Sequence, residues 1–295
     1  MTAAVSSAAQ QGIRANRTGW LAAALRSRYV VAGLVIIGVF TLVAIVGPYL
    51  VGDPNTFGGT QLAAPSRQHW FGTTQIGQDV FTQLVDATRA TLAIGALSAV
   101  IATVVSVGVG VGGGFAGGVA DEALSLVSNV ALVIPQLPLV ILIAAYVRHT
   151  GIWSVVLVIA LTSWAASARI LRAQTLSLRG RDYVLAARAY GERPWRIVVV
   201  ELIPNELPII VSQFIYAAIA AILTQSTLSF LGLADPSQLT WGNILFFAQN
   251  DSALASGAWW WFVPPGLCIA LVGTALSMLN FGLDEVLNPR LRGNR

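Results

Sequence analysis

The chain has 295 residues, of which 56% are hydrophobic and only 10% charged, and its mean hydropathy is +0.72. This composition excludes an ordinary soluble globular domain and is typical of a protein whose solvent is mostly lipid. The formal net charge of +4 comes from arginine alone, because the chain has no lysine, and the arginines cluster at the ends of apolar runs. Membrane topology therefore explains the charge better than nucleic-acid binding does.

The first apolar run, 29–51, follows an arginine-containing segment at 1–28 and is too long for a signal-peptide core, so we predict an uncleaved first span. Residues 20–25 could form a short interfacial helix before it. Every later run can cross a hydrocarbon core of roughly 30 Å at about 1.5 Å per residue. The predicted fold class is all-α, a polytopic membrane protein with six transmembrane helices. The five later runs are 90–120, 123–147, 150–168, 207–234 and 252–283.

The arginines also predict an orientation. With a cytoplasmic N-terminus, all of the 17 arginines except Arg67, Arg89 and Arg148 fall inside, as the positive-inside rule requires. Both termini are then cytoplasmic. The predicted organisation is a cytoplasmic segment 1–28, a first span 29–51, an extracytoplasmic loop 52–89, a core of five spans 90–283 that includes a cytoplasmic loop 169–205, and a cytoplasmic tail 284–295.

The basic stretch 182–205 predicts two short helices separated by a break. Asp182 is suited to cap the first helix, and Gly191 to end it in a left-handed conformation. Pro194 fits the first turn of a second helix, and Pro204 marks the next discontinuity. Small side chains on the first helix would let the groove of another protein approach its backbone, while larger ones supply apolar contact, which favours helix-in-groove docking. The small residues are Ala186, Ala187 and Ala189, and the larger ones are Tyr183, Leu185 and Tyr190.

Polar and helix-breaking residues interrupt the third and fifth predicted spans. In the third they indicate either a pathway-lining helix or a simple packing kink. In the fifth they line a polar route or hydrogen-bond between helices, and their clustering favours the route. The residues are Asn129, Pro135, Gln136 and Pro138 in the third span, and Ser212, Gln213, Gln225, Ser226, Thr227 and Ser229 in the fifth.

Several other patterns are discounted. The run G-V-G-V-G-G at 108–113 matches a dinucleotide fingerprint, but no strand precedes it, so close helix packing is the better account. Without lysine the chain cannot carry a P-loop ATP site, so nucleotide energy must come from a partner. The two histidines, His69 and His149, and the lone Cys268 predict no metal site and no nucleophilic enzyme. The six uncharged runs contain no ionisable group, which weighs against ion coupling.

Residues 185–204 resemble the EAA loop of importer permeases of the ATP-binding-cassette class, in which E-A-A, three residues, Gly and a spacer precede I-x-L-P. Ala186, Ala187, Gly191 and Pro204 fall in register, whereas Leu185 replaces the glutamate. Five further blocks, in the family's order, resemble the C-type permease subunit of dipeptide, oligopeptide and nickel transporters. They are His69–Thr73 with Gly77–Val80, Leu228–Leu233, Trp241–Gly242, Trp260–Trp261 followed by Pro265–Gly266, and Asn288–Arg292.

The resemblance implies a type I importer permease fold in the bacterial plasma membrane. It also implies three partners: a second, homologous permease, cytoplasmic ATPase subunits that hold ATP and Mg²⁺, and an extracytoplasmic binding protein. No cofactor is expected in this chain. The implied substrates are dipeptides or oligopeptides, with nickel or haem as alternatives. The competing hypothesis from another class is a stand-alone channel or scaffold, in which 182–205 is only a basic interfacial segment.

The residues expected to contact the ATPase are Tyr183, Leu185, Ala186, Ala187, Arg188, Tyr190, Gly191, Arg193 and Pro204. Arg188 and Arg193 either pair with acidic groups of that partner or serve membrane topology only. The residues expected to line the pathway are Asn129, Gln136, Gln213, Gln225, Ser226 and Ser229.

Overall fold

The computed structural model describes residues 27–146 and 151–287, apart from the side chains of 284–287. Throughout the described part the regular structure is helical, with one isolated β-bridge between Thr73 and Asp79. The predicted interfacial helix at 20–25 and His149 lie outside the described residues. The helices are α1 (Arg28–Leu50), α2 (Val80–Ala116), α3 (Gly118–Val133), α4 (Gln136–Tyr146), α5 (Ile152–Leu178), α6 (Asp182–Ala189), α7 (Pro194–Phe230), α8 (Trp241–Asn250) and α9 (Trp259–Leu287).

Five of these helices, α1, α2, α5, α7 and α9, are long and apolar enough to cross a membrane. The pair α3 and α4 is equally apolar but bends by 87° at its break, so the described chain has six candidate spans if this pair counts as one. The predicted all-α membrane fold is confirmed. Pro135 stands at the bend, as expected, because a proline there removes a backbone donor and disfavours helix in the residue before it.

The predicted first residues of two spans, the second and the last, are wrong. Helix α2 begins at Val80 and not at 90, because the Asp79 carboxylate accepts a hydrogen bond from the Thr82 N–H (2.8 Å) and caps the helix. The predicted loop 52–89 therefore ends at 79. Helix α9 begins at Trp259 and not at 252, since residues 251–257 form turns.

Three predictions around the basic stretch are also wrong. Helix α5 runs to Leu178, so it carries arginines that were assigned to the loop 169–205. Asp182 is the first residue of α6 and not its cap; Arg181 holds the capping position without a side-chain bond. Pro204 makes no break, because α7 continues from a π-helical turn at Ile197–Leu202 into an α-helix whose first residues include this proline, where a missing N–H costs little.

Helix α2 is the central element and packs along α5 and α7, while α1 packs on α9. A Cβ added to Gly110 of α2 would lie 2.4 Å from the carbonyl oxygen of Ala168 in α5, so only glycine permits this approach. Gly110 thus has the packing role that the sequence analysis favoured for the glycine run, whereas Gly108 and Gly112 have no heavy atom within 4 Å of an added Cβ. At about 1.5 Å per residue, the 37 residues of α2 place its two ends roughly 50 Å apart.

The segment 51–79 folds into a cap over the first end of α2. Thr73 fixes it: its hydroxyl donates to the Thr60 carbonyl (2.6 Å) and accepts from the Ala63 N–H (2.8 Å). The Trp260 indole N–H donates to the Thr73 carbonyl (3.3 Å), which ties the cap to α9. Below it, the fully buried Trp241 of α8 joins the largest apolar cluster of the described chain.

Candidate functional site

Helix α6 is held against the body of the protein by one fully buried side chain, Val184. Val184 packs in a cluster with Val111 of α2, Leu171 of α5, and Ile197 and Leu202 of α7. Burying a valine is worth about 1.5–3 kcal/mol, which is a modest anchor for an eight-residue helix. Through this single cluster α6 is packed against three spans.

The end of α6 has the geometry predicted from Gly191. This glycine has φ +75°, its N–H donates to the Arg188 carbonyl (3.0 Å), and the Glu192 N–H donates to the Ala187 carbonyl (3.1 Å). These two bonds form a Schellman motif, in which the left-handed position favours glycine. No heavy atom lies within 4 Å of a Cβ built at Gly191, so the backbone and not a close contact requires glycine here.

The outer side of this region exposes large apolar side chains. Tyr190 is 87% exposed and Leu185 49% exposed, while Ala186 and Ala189 are exposed small residues between them. Trp195, at the start of α7, is 61% exposed, and the sequence analysis missed it. A tryptophan in the first turn of a helix within the basic stretch was the available signal. We call the exposed side chains of Leu185, Ala186, Ala189, Tyr190 and Trp195 the α6 face.

Not all of the predicted coupling residues belong to the α6 face. Ala187 packs against the buried cluster beneath α6, and Pro204 lies half-buried within α7. Tyr183 is 37% exposed; burial, followed by the nearby charges of Glu201 and Glu206, raises the pKa of its phenol. Ala187 and Pro204 therefore lie on the inner side of the segment, while Tyr183 remains partly exposed beside the α6 face.

The arginines of the segment also differ from one another. The Arg188 guanidinium lies over the Phe115 ring, 4.7 Å from its centroid, so this side chain makes a cation–π contact with the last turns of α2. Arg196 pairs with Glu192 one turn away. Arg193 is exposed. Of the two arginines proposed to meet a partner, Arg193 presents its side chain outward, and Arg188 already has an internal contact.

Glu206 is a buried carboxylate directly behind this segment, and the sequence analysis missed it. The Thr175 hydroxyl of α5 donates to its Oε1 (2.8 Å), and Oε2 has no hydrogen-bond partner among the described residues. Its signal was a glutamate between two prolines at the start of an apolar run. The expectation that the spans hold no ionisable group is wrong here, because α7 reaches further toward the basic stretch than the run 207–234.

A second charged contact joins α3 to α5. Arg172 Nε lies 2.5 Å from Asp121 Oδ1 and Arg172 Nη2 lies 2.9 Å from Asp121 Oδ2, a bidentate pair. The same two helices share another polar contact, in which Arg169 Nη2 of α5 donates to Asn129 Oδ1 of α3 (2.7 Å). A cavity of about 220 Å³ lies between α2, α3 and α5, and both Asn129 and Arg169 line it. That Asn129 faces a substrate path stays a prediction.

The other predicted pathway residues are buried or half-buried within the chain. Gln225 is fully buried; its Nε2 donates to the Ser229 hydroxyl (2.9 Å), and the Thr240 hydroxyl before α8 lies 3.3 Å from the same oxygen. Ser226 and Gln213 are also buried. Gln136 is half-buried at the bend before α4. For Gln225 and Ser229 the geometry is that of the alternative interpretation, hydrogen bonding between elements of the chain.

A protein-family model described as "binding-protein-dependent transport system inner membrane component" matches residues 104–293, more than half of the chain. The chain is 32% identical over 274 residues to the dipeptide transport system permease protein DppC of Bacillus subtilis, covering 90% of this chain and 83% of that protein. It is 31% identical over 282 residues to the oligopeptide transport system permease protein OppC of the same organism, covering 92% and 90%. A putative peptide permease protein of Brucella suis is 32% identical over 273 residues, with the same coverage of 92% and 90%.

Proposed function

Because the chain belongs to the family of inner membrane components of binding-protein-dependent transport systems, we propose that it is a permease subunit of an ATP-driven importer of short peptides. The family assignment confirms the resemblance seen in the sequence. The peptide substrate is inferred from the dipeptide and oligopeptide permeases to which the chain is similar over most of its length.

The proposed partners follow from the class of transporter and from the residues. A chain without lysine has no P-loop, so ATP and Mg²⁺ are held by cytoplasmic ATPase subunits, and this chain needs no cofactor of its own. A second, homologous permease completes the membrane part, and an extracytoplasmic binding protein delivers the peptide.

We place the protein in the plasma membrane with both termini and α6 in the cytoplasm. The support is the distribution of arginine, since only Arg67, Arg89 and Arg148 fall on the other side. In this orientation the 51–79 cap and α8 lie outside, where a binding protein would arrive.

The observation that supports the coupling mechanism is the exposed α6 face on a helix whose other side is held by the buried Val184. An ATPase cleft would take Leu185, Tyr190 and Trp195 as apolar contacts, and its closure would move α6 as a rigid body. Val184 passes this movement to α2, α5 and α7. ATP binding then shifts the transporter between inward-open and outward-open states, because the two states differ in contact energy with the ATPase.

The test is the double variant Leu185→Ala/Tyr190→Ala in the reconstituted transporter. We expect normal insertion of the chain but loss of ATPase co-purification and of ATPase activity stimulated by the loaded binding protein. Leu254→Ala is the control, because Leu254 is an apolar side chain at the other end of the molecule whose exposure, 77%, lies between those of Leu185 and Tyr190. Unchanged assembly and unchanged stimulated activity in the double variant would contradict the coupling role. A wild-type chain that binds neither an ATPase nor a second permease would instead be a stand-alone channel or scaffold.

A further inference from the structure

A cavity of about 670 Å³ opens at the end of the molecule opposite α6. Its walls come from the first turns of α2, the 51–79 cap, the segment before α8 and the start of α9. The volume falls within the roughly 300–1,000 Å³ of small-molecule sites. In the orientation proposed above, the cavity faces the outside, the side from which a substrate arrives.

Charged side chains of both signs line this cavity. Asp86 and Arg89 stand on one face of α2, where residues three apart have Cβ atoms about 5–6 Å from each other. Asp251 lies in the wall at the end of α8. Within the described part of the chain, none of these three side chains forms an ion pair. Asp86 is half-buried, and Arg89 and Asp251 are exposed, so all three can be reached by a ligand.

The uncharged part of the wall is held in place by its own hydrogen bonds. The Gln83 amide donates to Gln78 Oε1 (2.7 Å), and both glutamines are buried. Trp261 also lines the cavity; it is 2% exposed, and its indole N–H has no acceptor among the described residues. A buried donor without a partner is unfavourable, and an acceptor on a ligand would satisfy it.

We propose that this cavity is a receiving site for a short zwitterionic peptide, in which Arg89 binds the terminal carboxylate and Asp86, together with Asp251, binds the terminal ammonium. This inference rests on the proposed peptide function and assigns residues to it. Paired charges of opposite sign suit a ligand that carries both charges, because a simple cation or anion would meet one like charge in the same wall. The Arg89 guanidinium also matches the planar geometry of a carboxylate.

The experiment measures the protection of a cysteine in the wall. Ala93→Cys is placed in a Cys268→Ala background, where it is the only cysteine of this chain, and the whole transporter is purified without its binding protein. We expect trialanine to slow maleimide labelling at position 93, and N-acetyl-trialanine amide, which lacks both charges, to leave the rate unchanged. Arg89→Gln and Asp86→Asn should each require about tenfold more trialanine for equal protection, the effect of losing one charge-assisted hydrogen bond.

Arg67→Gln is the matched control for charge, because Arg67 is an exposed arginine of the 51–79 cap that lies outside the cavity wall. In this variant trialanine should protect position 93 as well as it does in the chain with Arg67. Ala90→Cys provides a second reporter in the wall if Ala93→Cys impairs folding. Equal protection by the blocked peptide, no protection by trialanine, or unchanged protection in Arg89→Gln and Asp86→Asn would overturn the site. Uptake of trialanine by wild-type proteoliposomes that contain the binding protein separates the failure of the site from the failure of the peptide function. If uptake occurs, any of these three results overturns the site alone. If uptake does not occur, the peptide function itself is wrong.

Discussion

The two ends of α2 differ in how their surroundings are held together. At the Val80 end, the 51–79 cap, α8 and the start of α9 share the largest apolar cluster and a set of hydrogen bonds that cross between elements. At the Ala116 end, α6 is held mainly by the buried Val184, with Ala187 packed beside it and Arg188 on the Phe115 ring, and its outer side exposes Leu185 and Tyr190. The cap end is thus held by many contacts between elements of one chain, whereas α6 is held by few, and we propose that a partner completes its surface.

The largest expected difference between the two ends concerns two tryptophans. Trp241 at the cap end is fully buried, and its indole N–H donates to the Leu84 carbonyl (3.3 Å). Trp241→Ala should destabilise the chain by about 3–5 kcal/mol, as truncation of a buried aromatic does. Thermal unfolding of the purified transporter measures this change. Trp195→Ala is the control at the other end, and because Trp195 is 61% exposed it should alter stability little while lowering stimulated ATPase activity. Equal losses of stability in the two variants would contradict the claim that the two ends are held together differently.

A smaller effect is expected from the anchor of α6. Val184→Ala removes two buried methyl groups and should cost about 1.5–3 kcal/mol locally, without unfolding the cap end. Hydrogen exchange should therefore rise in 182–193 and stay unchanged in α8. Leu185→Ala, the neighbouring change on the outer face, should leave exchange in the free chain as it is. If Val184→Ala raised exchange throughout the molecule, α6 would not be an independently held element.

Removing the hydrogen bond between Thr175 and Glu206 tests the contact between α5 and α7 behind α6. Thr175→Val removes the donor to a buried carboxylate and should destabilise the α5–α7 contact by about 1–3 kcal/mol. Thr175→Ser keeps the hydroxyl and is the matched control. Unfolding midpoints in a mild detergent compare the two variants. Equal midpoints would show that the bond contributes nothing to the stability of this end.

The smallest effect is expected at the end of α6. Gly191→Ala forces a Cβ into φ +75°, which costs about 1–2 kcal/mol, and no neighbouring atom adds a clash. Insertion and folding should be normal, while stimulated ATPase activity should fall, because α6 is tilted or frayed at its end. Gly180→Ala is the control, since Gly180 has no positive φ and no neighbour within 4 Å of its Cβ position. Identical coupled activity in both variants would contradict a need for the Schellman geometry.

Local signals predicted part of this molecule well. The apolar runs predicted an all-helical membrane protein, Pro135 predicted the interrupted span, and Gly191 predicted the left-handed end of α6. These features depend on residues close in sequence. The start of α2 was missed because Asp86 and Arg89 read as loop residues, although the capping carboxylate of Asp79 was present.

The parts that could not be predicted depend on residues far apart in the chain. The Asp121–Arg172 pair and the Thr175–Glu206 bond join different helices, so no local pattern indicates them. Ala187 and Arg188 were assigned to the partner surface because sequence spacing does not tell which side of a short helix faces the body. Gln225 and Ser229 were assigned to a path, but a polar side chain inside a span fits an internal hydrogen bond equally well.

Cross-linking from position 190 tests the central claim most directly. A photo-reactive amino acid replaces Tyr190 on the α6 face in the whole transporter, and the same substitution at Leu254 reports the opposite end. The account predicts a cross-link from position 190 to the ATPase subunit whose yield changes when ATP is added, and none to that subunit from position 254. Absence of the ATPase cross-link at position 190, in a complex that still imports peptide, would contradict the claim that the energy of ATP enters through α6.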